Sequence, residues 1–397
     1  MLSREENELL TRVGPGTPGG ELLRRYWHPV AVAGEVTEEK PIKAVKLLGE
    51  KLVVFRDKGG RYGLVGEHCP HRMASLAYGR VEEDGIRCPY HGWKFDVGGR
   101  CLEQPAEPPG SGYKDRIRHK AYRVEKLGGL VFAYLGPEPA PLLPRWDVLA
   151  REDGRRWVEV QSVIDCNWLQ PMENSVDPSH LYWLHGNTGH LGQHMDRYQE
   201  EHEFIRFEYG IMKRRLTPGK NRQDPPMIDQ HPLVFPTILR HVFKQGEFRH
   251  NLQIRVPVDD AHTQVYVVYF MPSETERSPK DQDPPYQYVP LKNSKGEYNL
   301  QMVLAQDSMA WETQGPVTDR TQEHLGVSDE GIIVFRKLLK EQIEAVQRGG
   351  DPLGVIRDPE KNRIIEFEVI NERIGLFKHS AVSDQQSGIM SGRSSWQ

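Results

Sequence analysis

Cys69-Pro70-His71-Arg72 and Cys88-Pro89-Tyr90-His91-Gly92-Trp93-Lys94-Phe95 are the two stretches on which the reading of this chain turns. Each supplies one cysteine and one histidine, as C-x-H and C-x-x-H. Two thiolates and two imidazoles are a donor set for tetrahedral zinc, although zinc sites usually pair cysteines as C-x₂₋₄-C and histidines as H-x₃₋₅-H. One Cys and one His from each loop suit a two-iron cluster, in which one iron takes both thiolates and the other both imidazoles. Unrelated buried thiols near unrelated histidines are the third reading. Gly92 and Gly98-Gly99 permit tight turns beside such a cluster, while Pro70 and Pro89 stiffen the loops. Cys101 and Cys166 lack ligand-spaced partners and read as small buried hydrophobes.

Outward from these motifs, residues 31–136 carry short β-like runs such as Val45 to Leu48, Lys51 to Phe55 and Leu130 to Leu135, broken by Gly-rich turns. This is a small all-β domain with a Rieske-type [2Fe–2S] reading. Residues 1–30 form an N-terminal arm, and the proline-rich stretch opening at Gly136 makes 137–150 a linker. Residues 151–382 mix strands (Arg156 to Ile164, Glu203 to Tyr209, Ile238 to Phe243, Asn251 to Val256, Thr263 to Phe270) with helices expected over Leu300 to Thr313 and Asp329 to Arg348. The second domain is therefore α+β, an antiparallel sheet covered by helices. The Ser-, Gln- and Gly-rich residues 383–397 read as a flexible tail.

Composition narrows the function. In 397 residues, 52 Lys+Arg against 56 Asp+Glu leave a net charge of −4 without long single-sign runs, which gives no support to nucleic-acid binding. Apolar stretches fall far short of the ~20 residues that span a bilayer. The acidic N-terminus is unlike a secretory signal, so the expected location is cytoplasmic, away from membranes. Four cysteines are too few for a disulfide framework.

A second constellation lies in the segment Asn167 to His185. Polar Asn167, Gln170, Asn174, Asp177 and His180 recur at helical spacing among Trp, Leu and Met, and such groups must be satisfied if buried. His180 and His185 are five positions apart, which on a regular helix separates them by about 140°. A bulge or helix end is needed to bring them together. Two histidines and one carboxylate form the facial triad of non-haem Fe(II) oxygenases, with the carboxylate here coming from Asp177 or from elsewhere in the chain.

Together, the two Cys/His loops and Glu173-Asn174 with Asp177, His180 and His185 resemble the α subunits of Rieske non-haem iron oxygenases over nearly the whole chain. His231-Pro232 to Pro236, Gln306-Asp307 to Gln314-Gly315-Pro316 and Glu323-His324-Leu325-Gly326 resemble the phthalate-dioxygenase-like branch, whose members have α subunits only. The resemblance implies a helix-grip-like catalytic domain. It implies cluster ligands Cys69, His71, Cys88 and His91, and iron ligands His180, His185 and Asp307, with Glu312 as the rival carboxylate. Asp177 matches the bridging aspartate, a role compatible with capping the helix that follows; Asn174, Arg214 and Arg215 are candidate pocket residues. No dinucleotide-binding G-x-G-x-x-G follows a strand, so NAD(P)H acts through a separate reductase, with or without a ferredoxin. A homotrimer or stacked trimers follow from the same resemblance. The expected activity is O₂-dependent hydroxylation of an aromatic carboxylate or related aromatic compound. Oxidative demethylation of aryl methyl ethers is the alternative, and a non-catalytic electron carrier the rival of another class.

Overall fold

The computed structural model describes residues 1–185, 201–218, 226–280, 282–372 and 375–376. The expected tail, 383–397, lies outside the described residues.

Three sheets carry the fold. The first is antiparallel, in the spatial order Trp27–Val32, Leu130–Tyr134, Ala121–Leu127, Tyr62–Gly66, Glu50–Arg56 and Ile42–Leu47. It opens at Trp27, before the start read from the sequence. The second is small, with four strands from Arg80–Glu82 to Cys101–Glu103. One cysteine loop follows strand Tyr62–Gly66 of the large sheet, and the other joins Gly85–Arg87 to Lys94–Phe95 of the small one. The all-β first domain therefore exists to bring two loops together.

The third sheet has nine strands and runs Glu201–Phe207, Gly210–Thr217, Met227–Val234, Ile238–Gln245, Glu247–Asp259, His262–Pro272, Gly154–Gln161 and Tyr286–Val289, with Ile370–Asn371 paired to Met227–Val234. It is antiparallel except at one edge, where Tyr286–Val289 runs parallel to Gly154–Gln161. One face of its central strands packs Val265, Val267 and Tyr269 against Ala305 and Trp311 of helix Val303–Glu312. The opposite face carries Leu252, Ile254, Val268 and Phe270 into a core continuous with that of the first domain. The α+β reading holds, with helix Val303–Glu312 on the first of these faces and the buried residues of helix Glu330–Gln347 in the core of the second.

Helix Glu330–Gln347 follows its apolar pattern, burying Phe335, Leu338, Leu339, Ile343 and Val346, although Ile333 turns out to solvent. The arm at the start of the chain packs on this half of the molecule. Its first helix, Arg4–Thr11, is closed by a reciprocal Ser3/Glu6 capping box. The Asn7 amide then donates to Thr318 O at 3.0 Å, and Val13 N donates to Asp260 at 2.8 Å.

Between arm and sheet, helix Leu169–Ser175 is pinned by Glu173. That carboxylate accepts from buried Arg320 (2.9 and 2.7 Å) and buried Arg336 (2.6 Å). Removing it leaves two buried guanidiniums without their shared counter-charge. Glu173→Ala is therefore expected to destabilise the protein by about 3–5 kcal/mol, read as a lower urea midpoint. A loss below about 1 kcal/mol would show that the arginines find other partners.

Candidate metal centres

The two cysteine loops are conformational twins. Cys69 N donates to Ala74 O and Met73 N to Cys69 O; Cys88 N donates to Trp93 O and Gly92 N to Cys88 O. In both loops the residue four after the cysteine has positive φ, 61° at Met73 and 74° at Gly92. Gly takes this conformation freely, whereas Met73 takes it at a cost of the order of 1 kcal/mol or more. The loops thus present Cys69 and Cys88 inward, both buried, and His71 and His91 outward with ring centroids 4.5 Å apart. Trp93 stacks on His71 at 4.5 Å and 7°, which fixes that ring's plane. Burial, with the neighbouring Cys88 adding to it, pushes the Cys69 thiol up to about 12. Two adjacent buried thiolates need a cationic group to stabilise them, and the inner sulfurs and outer imidazoles fit a cluster with one iron for each pair.

In the catalytic half, the helically spaced segment Asn167 to His185 is broken, as the two histidines required. Helix Leu169–Ser175 stops, Asp177 Oδ1 accepts from Ser179 N at 2.8 Å, and a single turn His180–Trp183 follows. His185 lies just beyond that turn, so the helix end brings the two rings within 5.3 Å. The polar stripe has two fates. Asn167 donates to the backbone carbonyls of Thr11 and Asp260, and Gln170 to those of Trp311 and Gly315, so these two stitch helices together. His180 instead lies between two carboxylates, Asp177 on its Nδ1 side and Asp307 on its Nε2 side.

Asp307 Oδ1 lies 3.1 Å from His185 Nε2 and 3.8 Å from His180 Nε2. One ligand atom from each of the three residues falls within 4.8 Å of the others. Gln306 donates its amide to Leu300 O at 2.6 Å, which turns its oxygen to His185 Nδ1 at 2.7 Å. With the Nδ1 proton directed there, the Nε2 lone pair faces the carboxylate, and a proton or a metal cation has to lie between them. Burial alone would lower the His185 pKa, but Asp307 outweighs it and the pKa is raised. The donor set fits Fe(II).

The expected rival, Glu312, is engaged elsewhere. It accepts from Lys292 Nζ at 2.5 Å, from Asp165 N at 3.0 Å and from the Tyr298 hydroxyl.

Comparison with known proteins accounts for both centres in one chain. Residues 26–125 match the Rieske [2Fe-2S] domain family, and residues 292–394 match the family described as LigXa C-terminal domain like. The 5,5'-dehydrodivanillate O-demethylase oxygenase subunit of Sphingobium sp. (strain NBRC 103272 / SYK-6) is 42% identical, covering 94% of this chain and 87% of its own. The chain belongs to the α subunits of Rieske non-haem iron oxygenases. The Phthalate 4,5-dioxygenase oxygenase subunit of Pseudomonas putida is 33% identical over 93% of this chain and 92% of its own. The solved structure of NdmA from Pseudomonas putida CBB5 has the same fold, with a TM-score of 0.63, 24% identity, and coverage of 83% and 93%.

This Rieske oxygenase subunit therefore works with a [2Fe–2S] cluster, a mononuclear iron and O₂, which sets aside the electron-carrier reading. No helix among its described residues is long and apolar enough to cross a membrane.

The oxygenase's expected pocket cations have partners inside the fold. Arg215 pairs with buried Asp229, and Arg214 binds Gln230 at 2.8 Å and Glu203 at 2.9 Å. The Asn174 carbonyl accepts from Asp177 N at 3.1 Å, so its place is at the corner between the two short helices. The sequence offered Gln306 only as part of a branch motif, with no role of its own; its signal was its position directly before Asp307. Gln306→Leu is expected to weaken mononuclear iron binding about tenfold with the Rieske absorption unchanged, since such partners fix a ligand's tautomer. Iron titration of the variant checks this, and unaltered affinity would remove Gln306 from the site.

Proposed function

We propose that this subunit hydroxylates an aromatic carboxylate, receiving electrons from a separate NAD(P)H-dependent reductase, directly or through a ferredoxin. Cys69, His71, Cys88 and His91 hold the cluster, and His180, His185 and Asp307 hold the iron. The observation that carries the reading is the convergence of two imidazoles and one carboxylate in a site covered by the sheet. Such a triad leaves positions open on Fe(II), which supplies O₂ activation when bound. The chain's own residues do the rest: Gln306 orients His185, Asp177 lies against His180, and the apolar wall from Val265 to Tyr269 excludes water.

The substrate class is supported by the relatives' names, since both phthalate and dehydrodivanillate are aromatic carboxylates. The 42% identity to an O-demethylase supports a second reading, oxidative demethylation of an aryl methyl ether acid.

The subunit works in the cytoplasm as a ring trimer or stacked trimers, with Asp177 bridging to a cluster histidine of the neighbouring copy. Exposed Met73 in one cluster loop, exposed Tyr90 against His91 in the other, and exposed Trp183 in the turn that begins at His180 are apolar surfaces that such a neighbour would cover.

Substrate-dependent O₂ uptake by the iron-loaded protein, with a surrogate reductase and NADH over aromatic acids and aryl methyl ethers, tests the reading. A product heavier by two oxygens means a dioxygenase, by one a hydroxylase, and loss of CH₂ a demethylase. Cluster reduction with no uptake on any acid or ether would sink the aromatic reading.

A further inference from the structure

Among the described residues, eight arginines are buried, and seven of them are matched. Arg24, Arg87, Arg215, Arg240, Arg320 and Arg336 each meet a carboxylate. Arg156 is held by the carbonyls of Val148 and Arg151. Arg255 is the exception. It is 2% exposed, and among the described residues its guanidinium makes one hydrogen bond, from Nη2 to neutral Gln253 (2.9 Å), while Nε and Nη1 have no partner. Burial pulls its pKa down to about 10, which still leaves it charged, and among the described residues the carboxylate whose field reaches it is Asp307. An unmatched buried cation is among the costliest features a fold can hold.

Its position gives it a use. The guanidinium lies 5.8 Å from the ring of Trp311, one helical turn after Asp307. Residues so spaced are about 5–6 Å apart on one helix face, a span comparable to a substituted benzene ring. Arg255 and Val265 are register partners on the sheet face packed against that helix. On the same face of the same strand lies Asn251, fully buried, with neither side-chain amide atom hydrogen-bonded among the described residues, between His241 and Tyr269 in the register. A charged fork and an amide able both to donate and to accept are thus set along one wall, facing the helix that carries Asp307.

We propose that Arg255 receives the substrate carboxylate, and that Asn251 contacts a second polar substituent on the same ring. The inference rests on the aromatic-carboxylate reading above and names the residues that would select that class.

The test is binding to the anaerobic, iron-loaded holoenzyme, by calorimetry, of 4-hydroxy-3-methoxybenzoate and phthalate and of their methyl esters. The native protein is expected to prefer each acid over its ester at least tenfold. Arg255→Gln should abolish that preference while leaving ester affinity within threefold. Arg255→Lys, which keeps the charge but not the fork, should retain part of it. Asn251→Ala should weaken the hydroxylated acid more than 3-methoxybenzoate, which lacks the hydroxyl. Visible spectra and iron content show that each variant is folded. If Arg255→Gln keeps the preference, or if acid and ester weaken equally in both Arg255 variants, Arg255 is a packing residue and the inference falls while the aromatic-acid reading stands. If the native holoenzyme binds neither acids nor esters, that reading fails and takes the inference with it.

Discussion

Asp307→Ala is expected to lose the mononuclear iron and to reduce substrate-dependent O₂ uptake by about a thousandfold or more, the scale on which groups acting as one unit fail together. The reason is geometric: Asp307 Oδ1 is the anionic corner of a set whose other members are neutral imidazoles. Without it, two histidines remain to hold a divalent ion. The Rieske absorption should be unchanged, because both cysteine loops belong to the other domain. Glu312→Gln is the matched control. Its carboxylate is tied to Lys292, Tyr298 and the Asp165 amide, so the variant should keep its iron and lose only some stability. Iron analysis with oxygen-electrode kinetics checks both. Iron lost from Glu312→Gln and kept in Asp307→Ala would transfer the ligand role.

Asp177→Asn should leave both metals bound and the cluster reducible, yet lower O₂ uptake about a hundredfold, the upper end for a group acting through a metal-binding histidine. Asp177 Oδ2 lies 3.7 Å from His180 Nδ1, and that nitrogen has no hydrogen bond among the described residues. Burial would raise the Asp177 pKa, but His180 and the Ser179 amide outweigh it, so the carboxyl is held below its ordinary range and stays ionised. Asparagine can still accept from Ser179 N and close the turn, so the local fold survives while the charge is removed. Single-turnover reduction of the iron by a pre-reduced cluster is the direct measurement. Full turnover in the variant would leave Asp177 with the turn-closing role alone.

The cluster loops were legible because their information is local: ligand types and spacing lie within each loop, and the backbone twins follow from where Met73 and Gly92 fall. His180 and His185 were legible as a pair only with a break between them, and the single-turn helix His180–Trp183 provides it. Asp307 could be placed by resemblance and not by spacing, since the fold brings it from a helix far along the chain. The same limit hid Arg255 and Asn251, which read as ordinary members of an alternating strand. Strand Met227–Val234 was missed because Pro232 argues against a sheet interior. The sheet tolerates it because the neighbour on one side changes near it, from Ile370–Asn371 at Asp229 and Gln230 to Ile238–Leu239 at Leu233 and Val234. Asn167 and Gln170 read as polar groups in need of partners, and only the tertiary structure shows backbone carbonyls satisfying them.

The arm has a consequence for biosynthesis. Helices Arg4–Thr11 and Pro18–Leu23 are made well before the surfaces that receive them, which come from Thr318, Arg320 and helix Glu330–Gln347. Throughout elongation the amino-terminal helices have nothing to dock on, and shorter than about 12 residues they are marginal alone. The cluster domain can be complete while the arm that precedes it waits. Docking the arm thus has to wait for segments distant along the chain, and a nascent protein truncated before residue 318 would carry an undocked apolar arm for quality control to recognise.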